Sequence, residues 1–87
     1  MSSPRPPAVT LLTRPGCHLC VAARESVDRV TTELGLDWED VDVDADPELA
    51  RRHAEEIPVV LVDGVPRDFW QIDERRLARL LRERLAG

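Results

Sequence analysis

Apolar positions along the chain change period several times, and each change marks an element. Residues 8–13, AVTLLT, form a short apolar and β-branched run that ends at Arg14-Pro15-Gly16, the pattern of a strand and its turn. From there Leu19, Ala23, Val27, Val30 and Leu34 recur at helical spacing, with Arg24, Glu25, Asp28 and Arg29 between them. Gly35 then supplies a stop, which predicts a helix over about 18–34. The segment 37–44, DWEDVDVD, alternates, with Trp38, Asp40, Asp42 and Asp44 on one side and Val41 and Val43 on the other. It reads as a second strand whose acidic side suits a sheet edge. Asp46-Pro47 is a helix cap followed by proline at the first helical position, opening a second helix through ELARRHAEE that ends before Pro58.

PVVLV, 58–62, is a continuous apolar run suited to a strand buried on both faces, and Asp63-Gly64 is a favoured hairpin turn into a fourth strand over about 65–69. Pro66 cannot donate to a central ladder and marks that strand as an edge. Asp73 can cap a last helix in which Leu77, Leu80, Leu81 and Leu85 form one stripe. Its arginines face solvent, with local ion pairs to Glu74 and Glu83. The order β-α-β-α-β-β-α predicts an α/β fold, with strands one and three central in a mixed four-stranded sheet covered by three helices. Residues 1–7, rich in proline and serine, read as a disordered tail before a single domain over 8–87.

Composition narrows the function. The chain has 87 residues, a formal net charge of -5, and arginine as its only cationic residue besides two histidines. The arginines are interleaved with Asp and Glu and aromatic residues are scarce, so neither a basic surface nor a stacking platform for nucleic acid is expected. No apolar run has the length of a signal core or a membrane span. The expected setting is the cytoplasm, as a monomer, and there a permanent structural disulfide is improbable.

That setting brings the chemistry to RPGCHLC, where Cys17 and Cys20 stand two residues apart at a helix start. Helix N-terminal N–H groups and their partial positive charge favour an anion, so Cys17 is expected to react as a thiolate nucleophile. Cys20, one turn further in, is placed to attack a mixed disulfide formed on Cys17. Zinc would need about four ligands. The chain offers Cys17, Cys20, His18 and His53, and His18 is adjacent to Cys17 and poorly placed to share its metal, so no metal site is expected. The alternating acids of DVDADP lack the glycine and terminal Glu of a calcium loop and read as a strand edge and helix cap.

GCHLC after the first strand, the DVDADPEL segment, and IPVVLVDG opening the third strand together resemble the small bacterial glutaredoxin-like proteins of the thioredoxin superfamily, over about residues 8–86. The resemblance implies a thioredoxin-like fold and a thiol-disulfide oxidoreductase that reduces protein disulfides or glutathione mixed disulfides. It implies no tightly bound cofactor, with glutathione as a co-substrate or a flavoprotein reductase as the electron donor. It also implies that Pro58 is the cis-proline facing the dithiol, that the Ile57 backbone binds an extended substrate, and that Arg14 meets a glutathione carboxylate. His18 lies in the intervening pair that sets redox poise in such proteins; a protonated imidazole there would favour the reduced form, and the alternative is a solvent-facing residue without a role.

The loop RDFWQIDE departs from the Gly-Gly pair and following Asp with which glutaredoxins of the main type grip the γ-glutamyl end. Arg67, Phe69 and Trp70 stand there instead, and only Asp73 can take the place of the acid. Phe69 is expected in the core; Trp70 is either a core anchor or an exposed platform beside the dithiol. From a different class, a thioredoxin-fold binding module or redox sensor fits the same residues without turnover.

Overall fold

A computed structural model describes residues 8–53 and 55–86. The tail expected over 1–7 lies outside the described residues. The elements are β1 (Val9–Thr13), α1 (His18–Leu34), β2 (Trp38–Asp42), a 3-10 turn (Val43–Ala45), α2 (Pro47–His53), β3 (Val59–Val62), β4 (Val65–Phe69) and α3 (Glu74–Ala86). They form one mixed sheet in the order β2-β1-β3-β4, with β1 parallel to β2 and antiparallel to β3, and β3 antiparallel to β4. The two most apolar runs are therefore central, as their lack of alternation requires.

The central strands send alternate side chains to opposite faces. On one face Val9, Leu11, Val60 and Val62 pack with Ala23, Val27 and Val30 of α1 and Leu77 and Leu81 of α3. On the other, Leu12, Val59 and Val43 form a smaller cluster with Leu49 of α2, Ile57 and Phe69 against it. Phe69 is thus half-buried on the α2 side.

Local chemistry fixes the joints. Gly35 ends α1 at φ 68, and its N–H and that of Leu36 close onto the carbonyls of Thr31 and Thr32, a left-handed C-cap that glycine adopts without a Cβ penalty. Asp46 accepts from the N–H groups of Glu48 and Leu49, and Asp73 from those of Arg75 and Arg76, so both acids cap their helices. Asp63 and Gly64 both have positive φ, the geometry of a two-residue hairpin turn. In β4 the register against β3 shifts between Val60 and Leu61, which pair with Asp68 and Pro66.

Several elements depart from expectation. β2 stops at Asp42, because the Asp42 carboxylate accepts the Asp44 N–H at 2.8 Å and turns the backbone into the 3-10 turn that buries Val43. The helix expected through Glu56 ends at His53, where the N–H of Glu56 closes a turn onto the His53 carbonyl. The buried stripe of α1 runs through Cys20, Ala23, Val27, Val30 and Thr31, while Leu19 is exposed and Leu34 half-buried. In α3 the stripe fades at its end: Leu77 and Leu81 are buried, Leu80 half-buried and Leu85 exposed. Glu74 makes no local pair but reaches Arg29 of α1, at 2.9 and 3.0 Å, and accepts from Ser26. Those bonds hold the Glu74 carboxyl below its usual range.

Candidate functional site

The dithiol sits where the chain leaves the central strand β1 and turns into α1. The turn is closed by the Cys17 N–H, which donates to the Arg14 carbonyl at 3.3 Å, and Gly16 takes a left-handed φ of 76 within it. Cys17 is the N-cap of the 17-residue α1, with extended backbone, and its Sγ accepts the N–H of Cys20 at 3.2 Å. A cap position filled elsewhere by a side-chain oxygen is here filled by sulfur, so the partial positive charge of the helix falls on Cys17 Sγ. Cys17 is half-buried and Cys20 fully buried; both are free thiols. Burial, and then the bond with Cys17, push the Cys20 thiol up to about 11.

Arg14, Cys17 and His18 share one open cavity of about 250 Å³, with Val21 and Arg24 from the next turns of α1. His18 is exposed as the first residue of the helix. Arg14 is already engaged by a carboxylate of the chain itself, lying 3.4 Å from Asp44 of the 3-10 turn. The Ile57-Pro58 peptide bond is cis. Because Leu12 pairs with Val59, Pro58 enters β3 at the same end of the sheet from which the dithiol turn leaves. Pro58 is buried, and the Ile57 side chain packs into the α2-side core.

Trp70 resolves to the exposed alternative, with 55% of its surface open. It has a φ of 60, a left-handed conformation that suits glycine and costs a tryptophan of order 1–2 kcal/mol. Two hydrogen bonds hold it there: its backbone N–H donates to the Pro58 carbonyl at 2.8 Å, and its indole N–H to the Glu55 carbonyl at 3.1 Å. One residue thus ties the loop before α3 to both sides of the segment that precedes β3. Trp70 also lines a cavity of about 260 Å³ with Leu19, Ala22, Ser26 and Ile72, which explains why Leu19 is left out of the core. Asp68 organises the same loop, accepting from the N–H groups of Phe69 and Asp73.

A family model described as Glutaredoxin-like domain (DUF836) matches residues 8–82. The chain belongs to that family. An uncharacterized protein of Mycobacterium tuberculosis, Rv0508, is 41% identical over 76 residues, covering 82% of this chain and 78% of that protein. Among solved structures, the XcR50 protein of X. campestris superposes with a TM-score of 0.71 at 28% identity, covering 87% of this chain and 97% of that one. A thioredoxin variant from Halobacterium salinarum gives a TM-score of 0.65 at 20% identity, over 86% of this chain and 71% of the other, a likeness of fold. The thioredoxin-like architecture expected from the dithiol and the Ile-Pro signature is the one the chain adopts.

Three residues near this glutaredoxin-like dithiol were not anticipated. Arg24 donates through Nε to Asp40 Oδ2 at 2.6 Å, and the buried Thr13 hydroxyl donates to Asp40 Oδ1 at 2.6 Å. Alternation put Asp40 on the acidic side of an edge strand, and β2 is an edge with Asp40 exposed. What alternation does not report is the parallel register, which sets Asp40 opposite Leu11, on the face covered by α1. The available signal was Arg24, four residues beyond Cys20 and so one turn along the same face. Among the described residues, no group of three or more His, Cys, Asp or Glu side chains is arranged to hold a metal ion, and no helix is long and apolar enough to cross a membrane.

Proposed function

We propose that this protein is a thiol-disulfide oxidoreductase that reduces disulfides through Cys17 and Cys20. The observation that carries the reading is the pairing of a half-exposed sulfur at a helix N-cap with a buried thiol one turn behind it. Cys17, as thiolate, attacks one sulfur of the substrate disulfide. The old S–S bond breaks, its electron pair leaves with the far sulfur, and a mixed disulfide remains on Cys17. Cys20 then loses its proton, bonds to Cys17 Sγ and expels the second substrate sulfur. The substrate gains two electrons and the dithiol becomes a disulfide. Pro58 and the Ile57 backbone border the substrate at the same sheet end, and the exposed His18 sets the poise of the pair. The setting is the cytoplasm, the protein acts as a monomer, and a reductant, glutathione or a flavoprotein reductase, closes the cycle.

Two features support protein disulfides over glutathione mixed disulfides as substrates. Arg14 is taken by Asp44, so a glutathione carboxylate must displace an internal one. Trp70 occupies the loop that a glycine pair leaves open in glutaredoxins of the main type, and both its N–H groups are committed to the chain's own carbonyls.

The test is steady-state reduction of a protein disulfide and of a glutathionylated peptide by the natural chain, Cys17→Ser and Cys20→Ser. Turnover is expected to vanish with Cys17→Ser for both substrates and to fall for the protein disulfide with Cys20→Ser. Cys17→Ser with undiminished turnover would remove the reading. A natural chain that reacts once and does not cycle would make the protein a redox sensor.

A further inference from the structure

We propose that Arg24 is a positioning residue for the second thiol exchange, its guanidinium held by Asp40 along the dithiol face of α1 so that positive charge accompanies Cys20 as it attacks. The inference rests on the oxidoreductase reading and assigns a part of it to residues outside the Cys-x-x-Cys motif.

Geometry comes first. Arg24 follows Cys20 by four residues and Cys17 by seven, which places it one and two turns along the same helix face. Its side chain lies between two adjoining cavities, one shared with Cys17, His18 and Arg14, the other with Thr13, Asp40 and Asp42. An arginine on an exposed helix face is normally free to sample many rotamers. This one is fixed by a chain of bonds that begins in the core: buried Thr13 to Asp40 at 2.6 Å, and Asp40 to Arg24 Nε at 2.6 Å. That attachment leaves the rest of the guanidinium beside the dithiol turn.

Electrostatics gives the attachment a purpose. The resolving step requires the Cys20 thiol, which burial pushes up, to become an anion. The charge of Arg24 acts in the opposite sense on Cys20, and both sulfurs in turn favour the charged arginine. The other charged groups facing the dithiol are His18 on α1, Arg14 in the preceding turn with its partner Asp44, and Asp40 and Asp42 on β2. Both arginines have a carboxylate partner, Asp44 at 3.4 Å from Arg14 and Asp40 at 2.6 Å from Arg24, so the charge that Arg24 presents to Cys20 is set by Asp40. In the step itself Cys20 gives its proton to solvent and its sulfur bonds Cys17 Sγ. The Cys17–substrate bond breaks, and the substrate sulfur leaves with the electron pair.

Removing either end of the Arg24–Asp40 pair breaks the same contact, yet the two removals leave opposite charges beside Cys20. The experiment uses a neutral chromogenic disulfide, dithiodipyridine, in stopped flow. The first thiopyridone reports attack by Cys17, and the second reports expulsion by Cys20, followed across pH. Arg24→Gln is expected to slow the second release about threefold and move its pH profile to higher pH, whereas Asp40→Asn quickens it by a similar factor and moves the profile lower. Asn keeps an acceptor for Thr13, and Arg24→Lys should restore the natural rate to within about twofold. In 1 M salt, where the screening length falls to about 3 Å, the two variants should converge. Shifts in the same direction, or no shift in either variant, would overturn the role of Arg24 while leaving the dithiol reading intact. A natural chain that never releases the second thiopyridone would overturn the oxidoreductase reading and this inference with it.

Discussion

The two faces of the sheet are unequal. Nine buried residues join β1 and β3 to α1 and α3, whereas three buried residues and a fringe of half-buried ones join the same strands to α2. α2 has no fully buried residue of its own, and it is followed by the turn that leads to cis-Pro58. The dithiol helix thus rests on the thick side of the molecule and the segment opposite it hangs from the thin side. The oxidoreductase proposed above needs sulfurs held in place and a wall that can give to an extended substrate, and the difference in packing suits both.

The largest effects should separate the two faces. Leu81→Ala, which empties the thick side, should cost about 3 kcal/mol in urea denaturation. Val43→Ala, on the thin side, should cost about 2 kcal/mol. Equal costs would show that the α2 side is as tightly held as the other. Next is the loop that bridges them. Trp70→Gly should change stability by no more than about 1 kcal/mol, because glycine takes φ 60 freely and keeps the bond to Pro58. Its turnover of a glutathionylated peptide should rise relative to a protein disulfide, and an unchanged ratio would remove Trp70 as a selector.

The caps probe the same division more gently. Asp73→Ala should lower global stability by about 1 kcal/mol, since α3 carries Leu77 and Leu81 into the core. Asp46→Ala should register chiefly as faster amide exchange within α2, with a smaller change in the denaturation midpoint. The smallest effects are in pH. Cys20 binds its proton more tightly when folded, so its contribution is complete below pH 9 and lost as pH rises toward about 11, a loss that Cys20→Ala should lack. Glu74, held below its usual range by Arg29, contributes above about pH 4.5, and that contribution is lost as pH falls further; Glu74→Gln should flatten the acid limb.

Much of this was legible in the chain. The period changes located every strand and helix, Pro66 marked an edge, and the Asp-Gly pair set the hairpin, because each of these signals is local. The errors were of a different kind. Alternation through Asp44 hid a turn that Asp42 makes with its own carboxylate, which no periodicity reports. Leu19 reads as core by spacing, but Cys20 takes that place in the helix wheel and Leu19 lines the cavity beside Trp70. The roles of Asp40 and Glu74 depend on which face of the sheet or helix meets α1, a matter of register between distant segments. The cis bond before Pro58 followed from resemblance alone, since an X-Pro bond is cis in only about 5–6% of folded cases.

The irregular pairing of β4 bears on how other proteins approach. At Pro66 the outer strand has no N–H to offer, and the register shift against Val60 and Leu61 interrupts the ladder beside it. A strand from a neighbouring molecule meets a broken row there, so the sheet does not extend by accretion along that side. An oxidoreductase of the kind proposed here, acting on extended chains, is thereby kept from becoming a template on which those chains polymerise.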